Sequence, residues 1–240
     1  MNRVQILEWD SNFFGIPIAR ILPAKLLVEE LGQVISRLKK ENVKLAYWAS
    51  NPNDEESQTA AQLFYGFLAD KKATFVMDIS QICKPSDSFD WVIEEYSDIL
   101  PCTGLENLAI QAGICSRFKR DFRIPERKFV DLYLLWIRNS VNRQLADVVL
   151  VAHLSGNIVG MVTVVEKNGR GCIGLLAVTE EMQGKALGVT LVREAHAWAR
   201  RRGLVSAQVV TQGENIASCN LYKKCGYRIE RVEYFYHFWI

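Results

Sequence analysis

The chain has 240 residues, of which 49% are hydrophobic and 23% are charged, a composition typical of one large globular domain or two small ones. With 29 basic and 27 acidic residues, its formal charge of +2 gives no electrostatic reason to expect a nucleic-acid or membrane-surface partner. No apolar stretch is long enough to cross a bilayer, and no signal-peptide core is present, so we expect a cytoplasmic protein with reduced cysteines.

The first half of the chain predicts a small mixed α/β unit. Apolar residues recur at helical spacing over 26–40. Two short apolar runs and a second candidate helix follow, the strands at 44–49 and 74–79 and the helix at 58–68. The polar segment 84–88, which contains Pro85, then breaks the pattern. We therefore predict two domains, residues 1–85 and residues 86–240.

The second half predicts a longer series of strands and helices. The series is a strand at 91–96, helices at 105–115 and 129–141, a hairpin of strands 148–153 and 158–166, a strand at 171–178, a helix at 186–202, a strand at 205–211, a helix at 215–225 and terminal strands within 227–239. The strand at 171–178 is almost wholly apolar, which indicates burial on both faces. The aromatic segment 234–239 fits either pairing across a homodimer or covering its own core.

The segment between that buried strand and the long helix is typical of an anion-binding loop. It reads Gln183-Gly184-Lys185-Ala186-Leu187-Gly188. Small residues let the backbone approach a ligand closely, and the first helical turn presents unpaired N–H groups and a partial positive charge. Such a loop can hold a pyrophosphate, although the pattern alone fits an ordinary turn equally well.

A second segment, residues 215–227, combines a helix with two tyrosines. A helix over it places Ser218 and Tyr222 on one face, four residues apart. Tyr222 would then point its phenol toward a ligand lying beside the preceding strand. Taken by itself, the same residue fits an amphipathic core tyrosine.

Together the two segments resemble the signature motifs of the GCN5-related N-acetyltransferase (GNAT) family. Gln183, Ala186 and Gly188 match the acyl-CoA loop, with Ala186 in place of a glycine, and 215–227 matches the second motif, with Ser218 in place of an alanine. The resemblance covers about residues 90–240. It implies an α/β GNAT fold with a mixed central sheet, preceded by a smaller N-terminal α/β domain. It also implies acetyl-CoA as co-substrate, bound by Leu176, Ala177, Val178, Gln183, Gly184, Lys185, Ala186, Leu187, Gly188, Asn215 and Ser218.

The implied chemistry is direct attack of an amine on the thioester, with no metal. Backbone N–H groups around 176–178 are candidate donors to the developing oxyanion. The resemblance implies that the strands at 171–178 and 205–211 splay apart around the pantetheine, and it assigns the general acid to Tyr222, which would protonate the leaving thiolate. No general base is evident. Glu166 could take a proton through water but is better interpreted as a solvated carboxylate, His153 and His196 are interpreted as packing residues, and His237 carries no functional signal.

Shorter segments are similar to bacterial nucleotide-sugar acetyltransferases, typified by dTDP-fucosamine acetyltransferase. They are residues 9–15, 116–118, 173–177 and 210–212. That family carries an additional N-terminal domain and acetylates the 4-amino group of a dTDP-linked dideoxy sugar for surface polysaccharide synthesis. The similarity therefore implies a nucleotide-sugar acceptor.

The acceptor site is predicted at Arg117 and Phe118, because a guanidinium can contact a phosphate in a bidentate way beside a ring that stacks on a base. A polar loop between helices explains these two residues equally well. Trp9, Phe13 and Phe14 fit a nucleobase wall, but we interpret them as core residues of the first domain. Two other functions stay open: a GNAT enzyme that acetylates a peptide N-terminus, a polyamine or an aminoglycoside, and a non-catalytic acyl-CoA-binding module.

Overall fold

The computed structural model describes residues 3–80 and 91–240, which form ten strands and eight α-helices. In the first part they are β1 (Val4–Ile6), α1 (Glu8–Phe14), β2 (Ile18–Ile21), α2 (Val28–Lys40), β3 (Leu45–Ser50), α3 (Glu55–Leu63) and β4 (Phe67–Asp78). In the second part they are β5 (Val92–Glu95), α4 (Thr103–Ala112), α5 (Arg117–Arg120), α6 (Glu126–Val141), β6 (Val148–Leu154), β7 (Asn157–Lys167), β8 (Arg170–Val178), α7 (Leu187–Arg201), β9 (Ser206–Gln212), α8 (Ile216–Lys224) and β10 (Arg228–Trp239).

The strands form one mixed sheet in the order β1-β2-β3-β10-β4-β9-β8-β7-β6-β5. Neighbouring strands are antiparallel except for the pairs β2–β3 and β8–β9. Strand β4 lies between β10 and β9, so strands from both sides of the predicted domain boundary pair directly. The boundary itself, between residues 85 and 86, lies outside the described residues, and the division into two domains stays a prediction.

Helices cover both faces of the second half of the sheet. Val148, Leu150 and Ala152 of β6 pack in the apolar cluster that contains α7, whereas Val149 and Val151 pack in the cluster that contains α4 and α6. Because side chains alternate along a strand, these two clusters lie on opposite faces. The α/β class and the mixed sheet predicted from the sequence are therefore present.

The element between residues 55 and 78 differs from the prediction. The helix predicted at 58–68 starts at Glu55, since the Asp54 side chain caps it by accepting a hydrogen bond from the Ser57 N–H. It ends at Leu63, and β4 extends over 67–78 instead of 74–79. Lys71 and Lys72 obscured the strand pattern; in the fold they form ion pairs with Glu214 and Glu233, each at 3.1 Å.

The aromatic C-terminal segment forms one long strand inside the sheet. Tyr234 to Trp239 of β10 pair with Ser50 to Leu45 of β3, and the other edge of β10 pairs with β4. Both edges are occupied over residues 234–237, so this part of the segment covers its own core and has no free edge. Among the described helices, none is long and apolar enough to span a membrane.

Candidate active site

A cleft opens where β8 and β9 separate. The two strands pair only between Gly171–Ile173 and Ala207–Val209. At that point β8 has a bulge, where the Thr163 hydroxyl accepts a hydrogen bond from the Leu175 N–H at 2.8 Å. A Cβ on Gly174 would lie 2.7 Å from that hydroxyl, so the bulge needs a glycine. A bulge bends the strand that carries it, and this one bends β8 away from β9, as the splayed arrangement requires.

Burial of β8 is one-sided, so the predicted burial on both faces is wrong for its second half. Gly174 is exposed, and Leu176 and Val178 are only half-buried. They face the cleft, because β9 no longer covers this edge. The predicted oxyanion donors at 176–178 pair with β7 on one side alone.

The cleft has a volume of about 490 Å³, within the usual range for a ligand site. It is lined by Gln111, Ala112, Leu176, Ala177, Val178, Met182, Gln183, Gly184, Ala186, Leu187, Gly188, Val189, Asn215, Ala217, Ser218, Asn220, Leu221 and Lys224. All the predicted cofactor residues are among them except Lys185, which is exposed beside the loop. The structure thus brings the two motifs together around one cavity.

The loop before α7 directs the first turn of that helix at the cleft. The Thr190 N–H is bonded to the Ala186 carbonyl at 3.1 Å, so the N–H groups of 187–189 belong to the unpaired first turn. Ala186 has φ of 68°, in the left-handed region that favours glycine. The replacement of the family's glycine by Ala186 therefore preserves the backbone shape and costs about 1–2 kcal/mol in strain.

Asn215 and Ser218 contribute to the cleft through the start of α8. The Asn215 Oδ1 accepts a hydrogen bond from the Ser218 N–H at 3.1 Å and caps the helix. Tyr222 lies deeper and does not line the cavity: its side chain is 4% exposed and packs against Phe75 and Tyr227. Burial raises the pKa of Tyr222, which keeps the phenol protonated. Its role as the acid stays a prediction.

Arg117 and Phe118 lie in the short helix α5, and neither residue lines this cleft. The Arg117 guanidinium is within 4.2–4.5 Å of the ring centres of Tyr47, Phe118 and Phe235. These rings hold it by cation–π attraction. Among the described residues no carboxylate forms an ion pair with it. Arg117 is thus a fixed, half-buried cation without an anionic partner.

The other basic side chains of this segment are occupied. Lys119 binds Glu126 at 2.5 Å, Arg120 binds Glu214 at 2.5 Å, and Arg123 binds Asp121 at 2.9 Å. These three side chains are therefore bound within the protein. The Arg120–Glu214 pair also joins α5 to the turn that leads into Asn215, so the Arg117 site and the cleft adjoin.

The aromatic residues of α1 correct one prediction. Trp9 is 55% exposed and is not a core residue. It stacks on Phe13 with ring centres 5.2 Å apart, and Phe14 stacks on Phe118 at 5.7 Å. Because Phe13 also contacts Phe14 edge to face, these rings form a continuous aromatic series from the surface to Arg117.

Glu166, His153 and His196 lie outside the lining of the cleft. Glu166 is exposed at the hairpin end of β7, away from the open part of β8. His153 lies 3.4 Å from Glu94 at the sheet edge. His196 bonds Tyr227 at 2.8 Å, and burial lowers its pKa to about 4. These assignments agree with the packing and solvated roles given to them.

Two buried polar groups were missed in the sequence. His237 Nδ1 lies 2.8 Å from Asp121 Oδ2, a contact between residues 116 positions apart. Asp70, within β4, is 7% exposed, and its Oδ1 has no hydrogen-bond partner. In the sequence Asp70 directly precedes Lys71 and Lys72, so it resembles a residue of a polar surface segment, and the predicted start of β4 at residue 74 left it outside the strand.

Comparison with known proteins agrees with this geometry. The acetyltransferase (GNAT) family matches residues 113–227. A dTDP-fucosamine acetyltransferase from Escherichia coli O6:H1 is 30% identical over 236 residues, covering 96% of each chain. The spore coat polysaccharide biosynthesis protein SpsD of Bacillus subtilis is 24% identical over 124 residues, 52% of this chain and 43% of its own.

Comparison with solved structures supports the same fold. A GCN5-related N-acetyltransferase from Sphaerobacter thermophilus superposes with a TM-score of 0.61 at 15% identity, covering 98% of this chain and 75% of the other. We conclude that this chain belongs to the GNAT acetyltransferase family and is an acetyl-CoA-dependent N-acetyltransferase.

Proposed function

We propose that this cytoplasmic enzyme moves an acetyl group from acetyl-CoA to the amine of a dTDP-linked amino-deoxy sugar used for surface polysaccharide synthesis. The observation that carries the proposal is the Arg117 site, a cation held by three rings beside the acyl-CoA cleft. The relative that shares 96% of its length with this chain is named for such a sugar, which supports the same acceptor class.

The cleft between β8 and β9 suits acetyl-CoA as the donor. The first turn of α7 offers N–H groups and the positive end of a helix dipole to a pyrophosphate. The open edge of β8 offers backbone groups to the amides of the pantetheine. The N–H groups of 176–178 are proposed to stabilise the oxyanion, and one such donor contributes about 10²–10³ in rate.

The acceptor half suits a nucleotide sugar better than a polycation. Arg117 can contact a diphosphate through its planar fork of N–H groups. The aromatic series that continues from Phe118 through Phe14 and Phe13 to Trp9 offers stacking surfaces to a nucleobase. A polyamine or an aminoglycoside would place its own cations against Arg117, and this repulsion argues against both.

The reaction needs no covalent enzyme intermediate. The neutral amine attacks the thioester carbonyl carbon, the carbon–sulfur bond breaks, and the nitrogen releases one proton. The thiolate of coenzyme A takes a proton from Tyr222, and uptake of one proton by the resulting phenolate balances the reaction. Burial keeps that phenol protonated at neutral pH. Alignment of the two substrates supplies most of the rate, up to about 7–11 kcal/mol of the barrier.

The test is thiol release from acetyl-CoA with a panel of acceptors. The panel contains dTDP- and UDP-linked amino sugars, a polyamine, an aminoglycoside and a peptide with a free N-terminus. We expect turnover with a dTDP-linked amino sugar. Turnover with the peptide or polyamine alone would leave the family in place and refute the acceptor class, and binding of coenzyme A with no turnover on the panel would favour a non-catalytic module.

A further inference from the structure

Asp70 is a buried carboxylate that the fold leaves without a hydrogen-bond partner at Oδ1. It is 7% exposed. An unpartnered carboxylate in such surroundings is costly, because burial removes its hydration. A group of this kind therefore calls for an explanation, and a polar ligand that completes its hydrogen bonds is one.

The surroundings of Asp70 contain further polar groups without partners. The Tyr47 side chain is fully buried, and its hydroxyl has no partner. The charge of Arg117 acts on both Asp70 and Tyr47, yet Arg117 forms no ion pair with either group. Asp70 therefore lies within the electrostatic influence of the Arg117 guanidinium without a direct bond to it, and an acceptor with an amine and phosphates offers a partner to each of these two groups.

The register of β4 places Asp70 just past the last β4–β9 pair, on the side of the strand ends that border the acyl-CoA cleft, although Asp70 itself does not line that cleft. Pairing between β4 and β9 ends at Lys72 and Gln212, and the Gly213 N–H bonds the Lys71 carbonyl at 2.7 Å. Asp70 is the next residue along β4. On the other strand, the turn after Gly213 leads directly to Asn215, which lines the cleft.

We propose that Asp70 is the general base that accepts the proton of the attacking sugar amine; the inference rests on the proposed function. As the nitrogen–carbon bond forms and the carbon–sulfur bond breaks, one amine proton passes to the Asp70 carboxylate. The phenol of Tyr222 gives its proton to the thiolate of coenzyme A. Transfer of the Asp70 proton through solvent to the Tyr222 phenolate then restores both groups, so the products are the amide and the free thiol.

The neighbouring groups suit Asp70 to this role. Burial raises the pKa of Asp70 to about 6, against the lowering effect of Arg117 and Arg120 on α5 and of Lys72 on its own strand, whereas Glu214 in the turn after β9 raises it further. Tyr133 on α6 is also coupled to it, but burial raises the pKa of that phenol. The carboxylate is thus ionised at neutral pH and more basic than an exposed aspartate.

Other titratable groups at this site are less suited. Burial raises the pKa of Tyr47, which therefore stays protonated as a donor. His237 lies 2.8 Å from Asp121 through Nδ1 and has no exposed surface. Asp10 on α1 also faces Arg117, and its carboxyl pKa is raised by burial. Asp10 is not on a strand that reaches the cleft, so we do not expect it to act as the base. A D10N variant tests this alternative separately from D70N.

The experiment measures kcat and the two KM values against pH, from about pH 5 to about pH 9, for wild type, D70N, D70E, D10N and D78N. General-base catalysis contributes typically 10²–10⁴-fold, so we expect D70N to lose about that much in kcat with little change in the KM for acetyl-CoA. The kcat of the wild type should fall below about pH 6, D70N should lose this acidic limb, and D70E should regain part of the rate. D78N, at the exposed end of the same strand, is the matched control and should behave as wild type.

The outcomes separate the inference from the function on which it rests. A wild type that turns over a nucleotide amino sugar, together with a D70N variant of wild-type kcat and pH profile, overturns the role of Asp70 alone. A loss in D10N but not in D70N does the same. A wild type inactive on all nucleotide amino sugars refutes the proposed function, and the role of Asp70 with it. Should D70N fail to fold, a wild-type kcat that is flat through pH 6 overturns the inference.

Discussion

Replacing Asp70 by asparagine should change how the free energy of unfolding depends on pH. The pKa of Asp70 is raised from its ordinary 3.8 to about 6 by burial, and the side chain is only 7% exposed. The folded state therefore binds this proton more tightly than the unfolded state. The corresponding stability is fully present below about pH 4 and is lost as the pH rises through about 6. At about 1.4 kcal/mol per pKa unit, the loss is on the order of 3 kcal/mol.

The assay is urea unfolding of wild type and D70N at a series of pH values between about pH 4 and about pH 8. Subtracting the two curves cancels the titration of groups that both proteins share. We expect the wild type to lose about 3 kcal/mol relative to D70N across this range, so that D70N is relatively more stable at neutral pH than at acid pH. A difference that stays constant with pH would refute the reasoning, because it would mean that the folded protein solvates or pairs the Asp70 carboxylate.

The matched control is D78N on the same strand. Hydrogen bonds from Ser80 lower the pKa of the exposed Asp78. A lowered carboxyl pKa contributes stability that is present above the unfolded value and is lost as the pH falls. The difference between wild type and D78N should therefore change with pH in the opposite direction to that of D70N.

Three further substitutions test the remaining parts of the site. Tyr222→Phe removes the proposed proton donor and should lower kcat by about 10²-fold or more while calorimetry finds the acetyl-CoA affinity little changed; an unchanged kcat would exclude the phenol from the chemistry. Gly188→Glu puts a carboxylate where a pyrophosphate is expected, at a position of the cleft where a Cβ has room. The variant should lose coenzyme A binding while its circular dichroism spectrum stays unaltered. Coenzyme A affinity equal to that of the wild type would show that the loop has another role. Arg117→Lys keeps the charge but loses the planar fork of N–H groups, so the KM for the nucleotide sugar should rise about tenfold or more while acetyl-CoA binding is preserved. An equal rise in the KM for the nucleotide sugar and the KM for acetyl-CoA would contradict the assignment of Arg117 to the acceptor.

The acyl-CoA half of the site could be predicted from the sequence because its determinants are local. The loop at 183–188 and the cap at Asn215 each lie within a few residues of a strand or helix end, where residue type largely decides the backbone. The splayed strands followed from the family resemblance, and the limited pairing of β8 with β9 confirms them.

The acceptor half depends on contacts that no local pattern contains. The rings around Arg117 come from Tyr47 on β3 and Phe235 on β10 as well as from its neighbour Phe118. Asp70 is buried because β4 lies between β9 and β10 in the sheet. The hydrophobic periodicity of one strand does not predict which strands will be its neighbours. The exposure of Trp9 was missed because α1 is short and its aromatic residues resemble a core segment.

The central position of β4 also has a consequence for synthesis of the protein. Both neighbours of β4 are made long after it: Lys72 pairs with Glu233, 161 positions later. Until β10 has left the ribosome, β3 and β4 have unpaired edges, which invite association with other chains. The sheet should therefore close only once β10 has emerged, and such long-range pairing folds slowly. A chain truncated before β10 would leave β3 and β4 without the strand that lies between them.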